Sequence, residues 1–351
     1  MIHDDLVVID ASSVLAGPSV GTYFAELGAK VIKIEHPEHA DVTRSWKLPS
    51  EESDTPVSAY FSSINYKKKY ITLDLKSEND HFHFMEMIAS ADVLITNFKK
   101  GDDVKLSITD EVLLEKNPRL IIGKINGYGA NSDRVAYDLI LQAESGFMSM
   151  NGTPESGPVK MPVALIDVLS AHHLKEAILL ALYERTRTNK GQSVSISLYD
   201  AAISSLVNQA SNYLMSGHVP QRIGSLHPNI APYGELFVTS DNAQITFAIG
   251  SNTHFHKLCS VLKLKELPLD SRFKSNQDRV TNRNVLANLI QSAVGLNEHE
   301  ALLSELRGQN VPAGKIKNLQ EVFEDASARN LIREEVIEGK NTKRITSVVS
   351  K

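Results

Sequence analysis

Residues 6–35 read LVVIDASSVLAGPSVGTYFAELGAKVIKIE, and their pattern decides the fold. Two β-branched runs, LVVID (6–10) and KVIKIE (30–35), flank SVGTYFAELG (19–28), whose apolar residues recur at helical spacing. A buried strand, a turn with Gly17 and Pro18, a helix and a second strand make one βαβ unit, whose two strands lie parallel. Pro18 suits the first turn of a helix, where a missing N–H leaves no bond unmade. The turn lacks the G-x-G-x-x-G spacing that lets a backbone approach a dinucleotide pyrophosphate. No nicotinamide cofactor is expected, although an NAD(P)-dependent oxidoreductase stays open as an alternative reading of the strand pattern.

The alternation continues outward. Strands are expected at YITLDL (70–75), DVLIT (92–96), LIIGKI (120–125) and SVSISL (193–198), with helices over 80–91 and 168–187. The second helix, VLSAHHLKEAILLALYERTR, is apolar on most sides near 179–183 and reads as buried. The fold class is therefore α/β: a large Rossmann-like domain with a mainly parallel sheet over 1–215, and a smaller α+β domain over 236–310. Between them SGHVPQRIGSLHPNIAPYGE (216–235) gathers three prolines and three glycines, as an extended linker would. Residues 311–351 are expected to return and complete the large domain. Ligands of parallel sheets sit beyond the carboxyl ends of the strands. Here those ends are 11–18, 35–36, 74–76, 97–98 and 126–129, all rich in polar residues or glycine.

Composition removes other classes. A net charge of −5 and a pI near 6.2 give no general attraction to nucleic acid or an anionic membrane. The single cysteine, Cys259, cannot form an intrachain disulfide and fits a reducing compartment. The opening MIHDDLVVID lacks the basic flank of a signal peptide, and no uncharged apolar run reaches membrane length. A cytoplasmic protein is expected. His172 and His173 are adjacent on a helix and point about 100° apart, so they cannot share a metal from one face. No metal is expected.

Asp167 stands immediately before the long helix. By position alone it reads as an N-cap, its carboxylate bonding free N–H groups of the first turn. Such a carboxylate is expected to stay ionised, which suits a nucleophile better than a general acid. Lys67, Lys68 and Lys69, with Lys76, Lys99, Lys100 and Lys105, read either as a solvated face or as partners for the phosphates of a nucleotide.

Seven segments in order resemble one family: VVIDASSVLAGP, ELGAKVIKIEHPEHADVTRSW, AYFSSINYKKKYITLDLK, ADVLITNFKKG, NPRLIIGKINGYG, YDLILQAESG and IDVLSAHHLKEAILLALYERTRTNKGQSVSISLYDA. The family is that of the class III CoA-transferases, and the resemblance covers roughly residues 5–205, with weaker likeness in RFKSNQDRVTNRNVL and NVPAGKI. It implies an enzyme that moves CoA from an acyl-CoA to a free carboxylic acid, with Asp167 as nucleophile. It further implies adenosine and phosphate contacts from Leu73, Asp74, Leu75, Lys76, Asn97, Phe98 and Lys105, and an adenine-side contact from His36. Val14, Leu15 and Ala16 would lie beside the pantetheine, with Tyr137 and Asp138 nearer the thiol.

Lys105 and His36 stand where relatives often carry Arg, so a bidentate clamp becomes a point charge at Lys105. Trp46 resembles an active-site wall of formyl-CoA transferases. The racemase branch uses a His-Asp pair where this chain has Tyr137-Asp138, which leaves α-proton transfer without its base. An acyl-CoA racemase or isomerase stays the alternative on the same scaffold. The segment GSLHPNIAPYGE resembles the branch that handles dicarboxylic acids, with Arg222 or His227 meeting the second carboxylate. Family members form interlocked homodimers, so a homodimer is expected here.

Overall fold

The computed structural model describes residues 5–349. In chain order its first elements are β1 (Val7–Ala11), α1 (Ala16–Glu26), β2 (Lys30–Glu35), α2 (Ala59–Ser63), β3 (Lys68–Thr72), α3 (Glu78–Ser90) and β4 (Val93–Thr96). Next come α4 (Asp102–Lys105), α5 (Asp110–Lys116), β5 (Ile121–Asn126), α6 (Asp138–Glu144), α7 (Phe147–Met150), α8 (Leu165–Thr188), β6 (Gln192–Ser197), α9 (Leu198–Ser204) and α10 (Val207–Ser216). The rest of the chain forms β7 (Tyr233–Val238), β8 (Gln244–Ala248), α11 (Asn252–Val261), α12 (Asn276–Thr281), α13 (Arg283–Val294), α14 (His299–Gly308), β9 (Ala313–Lys315), α15 (Leu319–Glu324), β10 (Ile332–Ile337) and β11 (Lys340–Ile345).

The first six strands make one parallel sheet in the order β3-β2-β1-β4-β5-β6. Strands covered on both faces need apolar side chains at every position, and β4, VLIT, is buried throughout. On one face Val20 and Phe24 of α1 pack with Leu174 and Ile178 of α8; on the other Phe84 and Ile88 of α3 pack with Leu113 of α5. Gly123 lets α8 come close to β5: a Cβ there would lie 2.7 Å from Ile178 Cδ1. The sheet order reverses between β1 and β4, the topological switch point where ligands of such folds enter.

The chain divides into two compact units, one of 1–151, 158–221 and 329–351, the other of 152–157 and 222–328. The second unit is the antiparallel sheet β7-β8-β9 with α11, α13 and α14 around Phe237, Phe247, Phe255, Leu258, Ile290 and Leu306. These limits correct the boundaries expected for linker and small domain. Most of 216–235 folds into the second unit, because Arg279 Nε donates to Ala231 O at 2.9 Å and Arg283 Nη2 donates to His227 O and Ile230 O at 3.0 and 2.8 Å. Residues 313–315 also belong there, since β9 pairs with β8. The return to the first unit begins at 329, and the outermost residues of the expected large domain, 1–4 and 350–351, lie outside the described residues.

Two further expectations change. Helix α8 buries one face, whereas Leu180 and Tyr183 are 61% and 60% exposed. Strand β3 begins at Lys68 rather than Tyr70, which leaves Leu73, Asp74 and Leu75 in the loop beyond its end.

Candidate active site

Beyond the carboxyl ends of β1 to β4 lies a cleft of about 600 Å³, a size typical of small-molecule sites. The loop after β2 supplies His36 and His39, the loop after β3 supplies Leu73, Asp74, Leu75 and Lys76, and the loop after β4 supplies Asn97 and Phe98. Lys105 closes it from the end of α4. Leu73, Leu75 and Phe98 offer apolar surface, while Lys76, Lys99 and Lys105 offer positive charge at the rim. The His36 and His39 rings stack at 4.9 Å, and His36 Nε2 is 3.5 Å from Asp74 Oδ1. Lys105 Nζ is 3.1 Å from Asp102 Oδ1 and largely exposed. Eight residues expected to meet CoA thus share one cleft: His36, Leu73, Asp74, Leu75, Lys76, Asn97, Phe98 and Lys105.

The floor of this region is ionic and buried. Lys68 is fully buried; its Nζ donates to Asp10 Oδ2 at 2.7 Å and also to Pro18 O, Ile64 O and Asn65 Oδ1. Burial lowers the Lys68 ammonium to about 8 despite its Asp10 partner. Lys68 is therefore part of the scaffold rather than a solvated or phosphate-binding lysine. Lys33 Nζ meets Asp41 Oδ2 at 3.1 Å and Ser12 O at 2.6 Å.

Together these groups hold the loop after β1. Asn97 takes Ser13 at both ends, accepting from its N–H at 3.0 Å and donating to its carbonyl at 2.9 Å. Val14 N–H donates to the Asp41 carboxylate at 3.3 Å. Val14 itself has φ of +73°, a strained conformation for a β-branched residue that the surrounding bonds maintain. Val14, Leu15 and Ala16 do not line the cleft, and Ala16 is buried in the core of the first unit.

Asp167 is not the cap of α8. Ala164 occupies the N-cap position, and Asp167 is the third helical residue, 8% exposed. No donor bonds its carboxylate among the described residues. The cap is supplied from α6: Asp138 Oδ1 accepts Ile166 N–H at 2.7 Å, while Asp138 Oδ2 accepts from Gln142 Nε2 at 2.6 Å. Burial, then the charge of Asp138, raise the Asp167 carboxyl to about 7. This corrects the expectation of a carboxylate held ionised, because the helix terminus favours the anion by less than burial and Asp138 oppose it.

A residue without an assigned role in the sequence joins the group. Burial, then the charges of Asp167, Asp138 and Asp41, push the Tyr60 phenol up to about 12, so Tyr60 lies within electrostatic reach of the nucleophile candidate. Trp46, 39% exposed, meets Tyr60 edge to face with centroids 5.2 Å apart. Ser58 Oγ accepts from Phe61 N–H and starts α2, the helix that carries Tyr60. Tyr137 stands at the N-cap of α6, half exposed. Arg222 and His227 belong to the second unit, where the His227 ring accepts from Asn229 N–H through Nδ1 and lies 5.0 Å from Tyr233. Nδ1 being an acceptor, a neutral His227 carries its proton on Nε2. No group of three or more His, Cys, Asp or Glu that could hold a metal ion occurs among the described residues, and no helix there is long and apolar enough to cross a membrane.

Residues 4–349 match CoA-transferase family III. A succinate–glutarate CoA-transferase of Agrobacterium fabrum is 36% identical over 324 residues, which cover 91% of this chain and 80% of that protein. An acetyl-CoA:oxalate CoA-transferase of Acetobacter aceti is 34% identical over 335 residues, covering 94% and 85%. Among solved structures, a CAIB/BAIF family protein from Brucella suis superposes with a TM-score of 0.83 at 36% identity, covering 99% of this chain and 91% of that one.

Proposed function

The chain belongs to CoA-transferase family III and is a CoA-transferase, and from that premise we propose that it passes CoA from an acyl-CoA to a free dicarboxylic acid through acyl groups carried on Asp167. The observation that carries this reading is the carboxylate of Asp167: buried, bonded by no donor among the described residues, and set in the first turn of α8.

In the ionised state an Asp167 oxygen attacks the donor thioester carbonyl. A mixed anhydride forms, the C–S bond breaks, and CoA leaves as thiolate. The thiolate then attacks Cγ of Asp167, giving an aspartyl-CoA thioester and releasing the donor acid as carboxylate. The acceptor carboxylate attacks that thioester, re-forming an anhydride with CoA thiolate, which takes the acceptor acyl carbon. Asp167 is left as carboxylate, and no proton is consumed. Two weak nucleophiles thus exchange through steps that each have a good leaving group. The anhydride demands a site that excludes water, which agrees with the burial of Asp167 and with Tyr60, packed against Trp46, within its electrostatic reach.

The nucleotide half of CoA is assigned to the cleft, its adenine against Leu73, Leu75 and Phe98 and its phosphates against Lys76, Lys105 and His36. Val14, Leu15, Ala16, Tyr137 and Asp138 are assigned to the thiol end, Trp46 to the acyl group, and Arg222 and His227 to the far carboxylate of the acid. The dicarboxylate reading rests on the relatives, named for succinate and glutarate or for oxalate. A homodimer is part of the proposal, supported by Leu180, Tyr183, Leu214 and Met215, all well exposed in the single chain; light scattering during gel filtration reads its mass. The buried Cys259 suits work in the cytoplasm.

Incubation with succinyl-CoA, followed by hydroxylamine or borohydride trapping and peptide mass spectrometry, should mark Asp167. Crossing acyl-CoA donors with dicarboxylate acceptors should then show acceptor-dependent transfer. An unmarked Asp167 under a donor that is turned over would overturn the mechanism.

A further inference from the structure

The C-terminal hairpin carries a residue whose identity its own turn does not favour. Ile337 pairs with Lys340, so β10 and β11 are joined by two residues, Glu338 and Gly339, with φ of +48° and +83°. Two positive φ values in a two-residue loop suit Asn-Gly or Asp-Gly, and a glutamate there is strained. The side chain has a partner elsewhere. Glu338 Oε2 and Oε1 accept from Arg44 Nη1 and Nη2 at 3.0 and 3.1 Å, a paired fork contact.

Arg44 is bound on every side. Its Nε and Nη2 donate to Glu35 at 2.9 and 2.6 Å, Nη1 also donates to Pro56 O at 3.0 Å, and the guanidinium lies 3.9 Å from the centre of the Phe61 ring. Ile337 of the hairpin packs with Val57 and Phe61 in a small separate core. Lys340 Nζ adds bonds to Thr55 Oγ1 and Val57 O. The hairpin thus holds Phe61, the residue after Tyr60 in α2, directly through Ile337 and by way of Arg44 through Glu338.

Consecutive helical side chains point about 100° apart. Where Phe61 is clamped, the direction of Tyr60 follows. Trp46 stands two residues beyond Arg44 in the chain and meets Tyr60 edge to face. We infer that Glu338 and Arg44 are positioning residues: through them the C-terminal hairpin sets the Trp46–Tyr60 wall beside Asp167, and with it the fit of the acid that is to be acylated. The part of this inference that concerns the acid rests on the proposed transferase mechanism; the part that concerns the wall does not.

Trp46 is the only tryptophan, so its emission reports the wall directly and without turnover. Glu338→Asn supplies the residue the turn prefers while removing the fork, and Glu338→Gln keeps length without charge. Both are expected to fold, with Glu338→Asn at least as heat-stable as the parent. In both, Trp46 emission shifts and acrylamide quenches it more readily. With succinyl-CoA as donor and glutarate as acceptor, the KM of glutarate rises more than that of succinyl-CoA, on the order of tenfold, less than the roughly hundredfold of a full 1 Å misplacement. Arg44→Lys moves both readouts further in the same direction. Should Glu338→Asn fail to fold, Glu338→Asp, one methylene shorter, carries the same measurements. Parental Trp46 emission and parental glutarate KM in a folded Glu338 variant overturn the proposal. A wild-type enzyme that never carries an acyl group on Asp167 would overturn the mechanism instead and leave the emission result standing.

Discussion

Asp138 and Asp167 are coupled at the first turn of α8: Asp138 accepts the N–H of Ile166 at 2.7 Å, and its charge, added to burial, raises Asp167 to about 7. Asp138 thus caps the helix and also sets the basicity of the residue beside its cap. A more basic carboxylate is the stronger nucleophile once ionised, and the cost is a smaller ionised fraction.

The pH profile should show this coupling. Ionised Asp167 is the attacking form, so kcat/KM for the acyl-CoA is expected to rise with pH around a midpoint near 7. Asp138→Asn keeps an acceptor for Ile166 N–H but removes the charge, and should move the rising limb to lower pH. A wild-type midpoint in the ordinary carboxylate range, or a limb that ignores the substitution, contradicts the assignment.

Removing the nucleophile should stabilise the fold. The folded carboxyl sits at about 7, above the unfolded value near 3.8, so the folded state holds the extra proton and loses stability as pH rises through that window. Asp167→Asn escapes the loss. Its gain should be absent below about pH 4 and reach at most roughly 4 kcal/mol above pH 7, while transfer and acyl-enzyme disappear. Urea midpoints at both pH values test it.

Breaking the buried Lys68–Asp10 pair should be costly. Lys68→Met takes its ion-pair partner from the buried Asp10 carboxylate, leaving it Ser12 and the charge of Lys33, and Asp10→Asn takes the counter-charge from the buried ammonium, leaving it neutral acceptors. Each should lose roughly 3–5 kcal/mol of stability, read from urea unfolding.

The rim of the cleft should tolerate and even profit from change. Lys105 is exposed and shares its charge with Asp102, so Lys105→Ala should raise the KM of acyl-CoA by only a few fold at low salt and less at high salt. Lys105→Arg offers a fork in place of a point charge and should lower that KM. Initial rates across ionic strength distinguish the two.

Much of the sheet was legible because each central strand carries its own apolar run. Strand β2 occupies KVIKIE residue for residue. The start of β3 was not, because Lys68 looks like a surface residue until Asp10, distant in sequence, is seen to face it. Asn97 was half legible: its position beyond β4 marks the cleft, but its amide is taken up by Ser13, which no local pattern announces.

The site was less legible than the sheet. A helix-start aspartate reads as ionised, and only the fold brings Asp138, from α6, against it. Tyr60 lay inside a segment that resembles the family, yet nothing local gave it a role, because its partners Trp46 and Asp167 come from other elements. The face of α8 with Leu180 and Tyr183 read as core because apolar periodicity does not say what will cover it.

The bonds between Ser13 and Asn97 span 84 positions of chain. During synthesis β2 and β3 emerge and pair on one side of β1 before β4 exists to take the other. Until β4 arrives, the loop after β1 has no amide to hold it and the cleft lacks a wall. A ribosome-bound chain that ends before residue 97 is therefore blind to the ligand, however well its first strands have formed.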